Sequence, residues 1–170
     1  MIELEQFLQT PIGTLLLTSR DNRLGGITIL SAGTATTASP AAAAGSAGDG
    51  ASVLEQAATQ LGEYFAGGRR VFQLPCDLSG LPRFTRLVLE VLQTVPFGAT
   101  VTYGELAQRA GAPRAARAVG RALAVNPLPI VIPCHRVVAA NGHLGGYSGG
   151  AGPATKAWLL AFEAGNRQSS

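Results

Sequence analysis

Cys134 is the residue of this sequence best suited to act as a nucleophile. The preceding segment, 126–133, contains three prolines that exclude a helix and favour an extended path, and an Ile-Val-Ile run that requires burial. A thiol needs a positive or proton-accepting neighbour to ionise at neutral pH, and His135 and Arg136 follow directly. Adjacent side chains of an extended chain point in opposite directions, so a direct Cys134–His135 hydrogen bond requires a local helical turn or a bridging water. A buried, unreactive cysteine is the alternative interpretation.

Three arginines form a second candidate functional group, one suited to binding. Arg114, Arg117 and Arg121 are spaced by three and four residues, so they share one face of a predicted helix. Pro113 is predicted to be the first residue of that helix, which runs to about Ala124. The other side chains of the helix are small, so its arginines can approach a nucleic-acid backbone and neutralise phosphates. The alternative is the solvated face of an ordinary helix.

A shorter helix precedes this one. Thr102 and Glu105 have the spacing of a capping box, and the helix that they open is expected to continue through Gln108 and to break at Gly111. Two short helices with a tight, glycine-containing break are typical of a helix-turn-helix.

Composition limits the classes of protein to consider. With 170 residues, 46% hydrophobic and 14% charged, the chain forms one compact domain or two small ones. No apolar run approaches the roughly 18–20 residues that span a bilayer, and the N-terminus lacks the features of a secretory signal, so we expect a cytoplasmic protein. Two cysteines and two histidines, without CxxC or HxxxH spacing, argue against a zinc site.

Charge is distributed unevenly along the chain. Residues 1–80 hold four arginines against seven acidic residues, a net charge of −3. Residues 81–170 hold nine basic residues against three acidic ones, a net charge of +6. The second half is therefore expected to bind a polyanion.

The first half has the pattern of a scaffold. Residues 1–30 alternate apolar and polar positions around two turn signals, which predicts short antiparallel strands. Residues 31–52 contain only small residues, one proline and one aspartate, so a flexible loop is expected there. The other predicted elements are a helix opened by a Ser52–Glu55 capping box, a strand at Arg70–Leu74 and an amphipathic helix over 84–95.

Several motifs of the second half occur in the order that one family uses. Pro133-Cys134-His135-Arg136-Val137 is preceded by Asn126-Pro127 and followed by Gly146-Tyr147-Ser148-Gly149-Gly150. The supporting motifs are Phe84-Thr85, Val95-Pro96-Phe97-Gly98, Thr102-Tyr103-Gly104-Glu105-Leu106-Ala107, Ala115-Ala116-Arg117-Ala118-Val119-Gly120 and Lys156-x-Trp158-Leu159-Leu160. Over roughly residues 80–165 the chain closely resembles the O6-alkylguanine-DNA alkyltransferases, whereas the first 80 residues match in general character.

The resemblance implies an α+β fold with two domains. Residues 1–80 would form a small N-terminal α/β scaffold with an antiparallel, ribonuclease H-like sheet, including the flexible loop 31–52. Residues 81–170 would form a mostly helical domain that carries the helix-turn-helix, DNA binding and alkyl transfer.

The resemblance also implies an activity. A single-turnover reaction would move the alkyl group of O6-alkylguanine, and of O4-alkylthymine, in DNA onto Cys134 and inactivate the protein. The implied partner is double-stranded DNA, bound by a monomer through the minor groove with the damaged guanine flipped out of the stack. Neither a cofactor nor a metal is implied.

The resemblance implies roles in alkyl transfer for five residues. Cys134 is the nucleophile, and His135 acts on it through a water while Glu163 orients the imidazole. Tyr103 helps to rotate the nucleotide and hydrogen-bonds guanine N3; a core aromatic residue is the alternative for this position. Asn126 braces the turn before the active-site segment, and a simple turn-former before proline is its alternative.

DNA contacts and a pocket are implied in the same way. Arg117 is the finger that fills the place of the flipped base. Further DNA contacts are implied for Tyr103, Arg114, Ala115, Ala116, Arg121 and Arg136. The lining of the alkylguanine pocket is implied to include Pro129, Val137, Tyr147, Ser148 and Gly149.

Two other classes of function remain open. A non-enzymatic, alkyltransferase-like lesion-recognition protein would lack the active cysteine, and Cys134 in an intact Pro-Cys-His-Arg motif disfavours that class. The case for a cysteine hydrolase is weaker still, because no oxyanion hole or acyl-binding motif is recognisable in the sequence.

Overall fold

The chain divides into two compact units. The computed structural model describes residues 4–30, 49–147 and 149–166. Unit 1 comprises Met1–Ser79, and unit 2 comprises Gly80–Ser170. Among the described residues, every helix is too short or too polar to traverse a bilayer.

Unit 1 is built from an antiparallel sheet and one helix. The strands are β1 (Leu4–Thr10), β2 (Gly13–Arg20) and β3 (Arg23–Ile29), in the order β1-β2-β3. The alternation in residues 1–30 therefore predicted the strands correctly, and it also predicted burial, since Leu15 and Leu17 of the central strand are fully buried. Helix α1 (Asp49–Phe65) contacts all three strands and contributes Leu61 and other buried residues to the core.

The start of α1 differs from the expectation. The helix begins at Asp49, so residues 49–52 are helical and Ser52 is not its N-cap. The remainder of the predicted loop, residues 31–48, lies outside the described residues.

The strand expected at Arg70–Leu74 is absent from the described structure. The side-chain amide of Gln60 occupies the hydrogen-bonding groups that a neighbouring strand would use: it accepts from the Gln73 N–H at 2.8 Å and donates to the Gln73 carbonyl at 3.1 Å. The chain meets β3 slightly later, where Leu24 N–H donates to the Pro75 carbonyl at 2.7 Å. This segment is anchored by a side chain and an isolated bridge rather than by a sheet ladder.

The described part of unit 2 is mostly helical. Its elements are α2 (Arg83–Leu92), β4 (Val101–Thr102), α3 (Tyr103–Arg109), α4 (Ala116–Ala124), a 3-10 helix (Cys134–Arg136), β5 (Val137–Val138) and α5 (Pro153–Gly165). The apolar face predicted for α2 is only partly buried: Val88 and Leu92 are buried, whereas Leu87 is exposed. The helix ends three residues before Val95, which is also buried. Strands β4 and β5 pair in parallel, with Val101 opposite Val137. This pairing brings the end of the 3-10 helix close to the start of α3.

The capping box of the helix-turn-helix is confirmed. Thr102 Oγ1 accepts from the Glu105 N–H at 3.1 Å, and Glu105 Oε2 accepts from the Thr102 N–H at 2.8 Å. The reciprocal bonds satisfy two backbone donors at the start of α3. Gly111 follows the helix with φ of +77°, a conformation that glycine adopts without steric cost.

The second helix of the motif starts later than predicted. Ala115 N–H donates to the Ala112 carbonyl at 2.9 Å, so residues 112–115 form a turn with Pro113 at its second position, where proline is favoured. Helix α4 begins at Ala116. Arg114 therefore lies in the turn, and the helical face predicted for three arginines carries Arg117 and Arg121 only.

Candidate active site

The segment before Cys134 folds into a turn and is not the extended strut that its prolines suggested. Ile132 N–H donates to the Leu128 carbonyl at 2.8 Å, and between them Ile130 has φ of +77°. A β-branched residue in this conformation is strained, by about 1–3 kcal/mol. Ile130 is fully buried, so the surrounding packing holds it there.

Asn126 ties this turn together from one side. Its Nδ2 donates to the Ile132 carbonyl at 2.9 Å, and its Oδ1 accepts from the Leu128 N–H at 3.0 Å. The amide thus satisfies one backbone donor and one acceptor of a segment that lacks a regular ladder. Asn126 also acts on the thiol, since it lowers the pKa of Cys134.

Cys134 begins the 3-10 helix and is 8% exposed. Burial raises the pKa of its thiol, because the thiolate loses hydration. The Asn126 side chain and the positive charge of Lys156 oppose this effect and lower the pKa. Cys134–Arg136 forms a local helical turn, but no hydrogen bond joins Cys134 to His135 among the described residues, so of the two routes that the sequence left open the structure does not show the direct one.

His135 is fully buried and is held by a carboxylate. Its Nε2 lies 2.7 Å from Oε1 of Glu163, which projects from α5. Burial lowers the pKa of His135, although Glu163 partly offsets that effect, so the imidazole is neutral at pH 7. A neutral ring that donates from Nε2 keeps a lone pair on Nδ1. This Nδ1 is buried and has no hydrogen-bond partner among the described residues, which leaves it able to accept a proton.

Arg136 completes this buried cluster. Its Nη2 donates to Glu163 Oε1 at 2.8 Å, its Nε donates to Oε2 at 3.0 Å, and its Nη1 donates to the Val95 carbonyl at 2.7 Å. Burial alone would raise the pKa of Glu163, but the hydrogen bonds from His135 and Arg136 lower it to about 2. Glu163 is therefore a permanent anion at neutral pH.

The predicted DNA contact of Arg136 is wrong. The residue is only 5% exposed, and its guanidinium binds the carboxylate that also holds His135. Its structural role explains why a basic residue follows the Cys-His pair: it neutralises Glu163 inside the protein.

A cavity of about 400 Å3 opens beside the thiol. Its lining residues are Tyr103, Gly120, Leu123, Ala124, Cys134, Gly146 and Tyr147. The Tyr147 hydroxyl is buried and has no hydrogen-bond partner among the described residues. Burial raises the pKa of both Tyr103 and Tyr147, so both phenols keep their protons at neutral pH and are available as donors. The described residues contain no group of three His, Cys, Asp or Glu side chains that could hold a metal ion.

The face of α4 that lines the cavity also carries the arginines. Arg117 and Arg121 are exposed. Arg117 precedes Gly120 by three residues and Ala124 by seven, so it lies on the same helical face as these two lining residues. The helix therefore presents a cation one turn away from a wall of the cavity.

Two family models match the two halves of the chain. The model of the 6-O-methylguanine DNA methyltransferase ribonuclease-like domain matches residues 4–78, and the model of the DNA binding domain of the same protein matches residues 83–165. The chain belongs to the 6-O-methylguanine DNA methyltransferase family. The resemblance inferred from the motifs is thereby confirmed.

Individual members of this family are similar over most of the chain. The methylated-DNA--protein-cysteine methyltransferase of Mycolicibacterium paratuberculosis is 44% identical over 161 residues, which cover 92% of this chain and 89% of the relative. The Homo sapiens protein of the same name is 41% identical over 167 residues, covering 92% and 78%. The crystal structure of Mycobacterium tuberculosis OGT in complex with DNA aligns with a TM-score of 0.78 at 37% identity, covering 95% and 93%.

Part of the pocket implied by the family resemblance differs in the structure. Tyr147 lines the cavity, but Pro129, Val137 and Gly149 are not among the described residues that line it. Val137 is fully buried and pairs with Val101, so its side chain is used in the core. Ser148 lies outside the described residues.

Three lining residues were given no place in the pocket from the sequence. They are Gly120, Leu123 and Ala124. The available signal was the run of small residues in α4, which was interpreted as a means of approaching DNA and which also leaves room for the cavity.

Gly145, next to the lining residue Gly146, lies close against Tyr103. A Cβ atom at this residue would lie 2.5 Å from the Tyr103 hydroxyl, and Gly145 has φ of +76°. The backbone of the next residue, Gly146, lowers the pKa of the same phenol, against the larger effect of burial. Tyr103 is thus held against a wall that only glycine can form.

We expect Gly145→Ala to destabilise the protein by about 2–4 kcal/mol, because positive φ and overpacking both contribute. Gly142→Ala is the matched control: Gly142 has φ of +85° but nothing within 4 Å of an added Cβ, so only the backbone cost remains. Urea unfolding of both variants separates the two contributions. Equal losses in the two variants would contradict the close contact with Tyr103.

Proposed function

We propose that this chain repairs alkylated DNA directly, by moving the alkyl group of O6-alkylguanine, and of O4-alkylthymine, onto Sγ of Cys134. The observation that carries the proposal is the arrangement around the thiol: a cysteine on the wall of a cavity, followed by a neutral histidine that is fixed by a permanent carboxylate. The names of the relatives, which describe methyl transfer from DNA to a protein cysteine, support the same reaction.

The chemical step is a single displacement. His135 Nδ1 accepts the thiol proton through a water, and Glu163 stabilises the imidazolium that results. The sulfur lone pair then forms a bond to the alkyl carbon while the carbon–O6 bond breaks, and its electron pair stays on the purine. The Tyr103 hydroxyl, which remains protonated at neutral pH, donates to the departing base at N3 and stabilises the growing charge.

Base flipping brings the lesion into the cavity. An O6-alkyl carbon inside the stack is not accessible to a buried thiol, so the nucleotide must rotate out of the duplex. Arg117 fills the vacated place in the stack, and its position one turn from Gly120 supports this role. The exposed Arg114 and Arg121 contact phosphates, and the small Ala115 and Ala116 allow close approach to the minor groove.

We assign the role of a scaffold to unit 1, and DNA binding and alkyl transfer to unit 2. The described residues assigned to the reaction all lie in unit 2. The proposal includes action as a monomer, without a cofactor, in the cytoplasm or on the nucleoid. The thioether formed on Cys134 is chemically stable, so each protein molecule reacts once.

The test is methyl transfer from O6-methylguanine in duplex DNA by two matched cysteine variants. We expect Cys134→Ala to lose all detectable transfer and Cys76→Ala to retain the native rate, because Cys76 belongs to unit 1 and is not among the described residues that line the cavity. Tight lesion binding by the native chain without transfer would instead indicate a lesion-recognition protein. Turnover of an ester by the native chain would indicate a hydrolase.

A further inference from the structure

Lys156 is a residue of unit 2 that opens one of the supporting motifs but has no part in the proposed mechanism. It is the sole lysine of the sequence, it lies on α5, and its side chain is fully buried. Lysine is almost never fully buried without a partner, because an ammonium group loses its hydration. Its surroundings therefore require an explanation.

The ammonium group of Lys156 reaches the cavity wall. Its Nζ donates to the Gly146 carbonyl at 3.3 Å and lies 5.9 Å from the centroid of the Tyr103 ring. Gly146 and Tyr103 line the same cavity as Cys134. Lys156 thus contacts the cavity wall from behind.

The neighbouring charges leave Lys156 without a fixed counterion. Glu163, the nearby carboxylate, is already bound by Arg136, and His135 is neutral. Within the described ranges, no carboxylate lies within ion-pair distance of Lys156. The remaining group that can carry negative charge close to the ammonium is the thiolate of Cys134, since the phenols of Tyr103 and Tyr147 stay protonated.

We propose that Lys156 is a positioning residue that stabilises the Cys134 thiolate from behind the cavity wall and fixes Gly146 against Tyr103. The proposal rests on the proposed function in one respect only, the use of Cys134 as a nucleophile. Lys156 takes no proton in the reaction, because the thiol proton leaves through His135 and the ammonium stays charged. With the thiol proton on His135, the cations Arg136 and His135 share the Glu163 carboxylate, and Lys156 is the cation left to pair with the Cys134 thiolate.

The effects of Lys156 and Cys134 on each other's pKa agree with this geometry. Burial lowers the pKa of Lys156, and the charge of Cys134 raises it. Burial raises the pKa of Cys134, and the charge of Lys156 lowers it. When an alkyl group neutralises the sulfur, Lys156 loses its counterion while remaining buried, so the alkylated protein must hold an uncompensated cation or release a proton.

The first test is the pH dependence of Cys134 alkylation by iodoacetamide, followed by peptide mass spectrometry so that Cys76 is counted separately. We expect Lys156→Gln to slow the reaction at pH 7 by roughly tenfold, to shift the profile to higher pH and to reach the native rate at high pH. Lys156→Arg keeps the charge and should restore much of the native profile. Arg86→Gln removes one charge from an exposed position of α2 and should leave the profile unchanged.

The outcomes of this test separate an electrostatic role from a merely structural one. An unchanged midpoint with a lower rate at every pH in Lys156→Gln would overturn the proposal, because it would mean that the residue shapes the site without stabilising the thiolate. Iodoacetamide needs no DNA, so this result is independent of whether the chain repairs a lesion.

A second measurement uses the native sequence and does not depend on how the variants fold. Labelling the protein with 13C-lysine gives a single Cε signal, because the chain has one lysine. We expect this signal to titrate at lower pH after methylation of Cys134 or in Cys134→Ala than in the native protein. Identical titrations in all three forms would overturn the pairing of Lys156 with the thiolate.

Discussion

Glu163→Gln is expected to destabilise the protein by about 3–5 kcal/mol, because it removes the anion that neutralises a buried arginine. Glu163 is 1% exposed, and its carboxylate accepts from the Arg136 guanidinium and lies 2.7 Å from His135 Nε2. The neutral amide leaves the guanidinium as an uncompensated charge in the interior. Urea unfolding at pH 7 measures the loss.

Glu90→Gln is the control for this substitution. Glu90 is an exposed residue of α2, so the same chemical change there should alter the unfolding free energy by less than about 0.5 kcal/mol. A loss of under about 1 kcal/mol in Glu163→Gln would contradict a buried, charged cluster.

The same contacts predict how stability depends on pH. The pKa of Glu163 is lowered from 4.5 to about 2, so the carboxylate stabilises the fold above its unfolded-state pKa and loses that effect as the pH falls toward its folded-state pKa. The stability difference between the native protein and Glu163→Gln should therefore be complete at neutral pH and shrink between pH 4.5 and about 2. Unfolding measured at several pH values checks this, and a difference that stays constant through this range would count against it.

Arg117→Ala is expected to slow methyl transfer from duplex DNA by roughly 30- to 100-fold at saturating protein, because the flipped state loses the side chain that fills the stack and unstacking costs a few kcal/mol. Transfer from the same lesion in a single strand should change much less, since little stacking has to be broken. Single-turnover kinetics on the two substrates measure the difference.

Arg121→Ala is the matched control on the same helix. Arg121 is exposed and carries the same charge, but it is assigned to phosphate contact. Its removal should weaken binding and reduce the salt dependence of binding, with little effect on the saturated rate. If both variants lost the same factor in the saturated rate, Arg117 would have no special part in flipping.

Local rules predicted the elements whose hydrogen bonds are local. The Thr102–Glu105 capping box and the alternating strands of residues 4–29 follow from spacing within one segment, and both are observed. The turn before Cys134 did not follow from spacing, because no local rule places a β-branched residue such as Ile130 at positive φ. Buried packing and the amide of Asn126 decide that conformation.

The candidate active site was likewise predicted only where neighbours in sequence determine it. The motifs pointed to Cys134 and His135, the family resemblance added Glu163, and the structure brings His135 and Glu163 within hydrogen-bond distance. They did not reveal that Arg136 faces inward, because its direction depends on a carboxylate 27 positions away in the chain. A motif names neighbours in sequence, whereas Lys156 gains its importance from burial, which only the folded chain shows.

The most direct test of alkyl transfer to Cys134 is a mass measurement. The native protein is incubated with an excess of duplex DNA that carries O6-methylguanine, and intact and fragment masses are followed over time. We predict one added methyl group per chain, located on Cys134, with no further increase and an equal amount of restored guanine. Unmodified protein after restoration of the guanine, or a methyl group on another residue, would contradict the account.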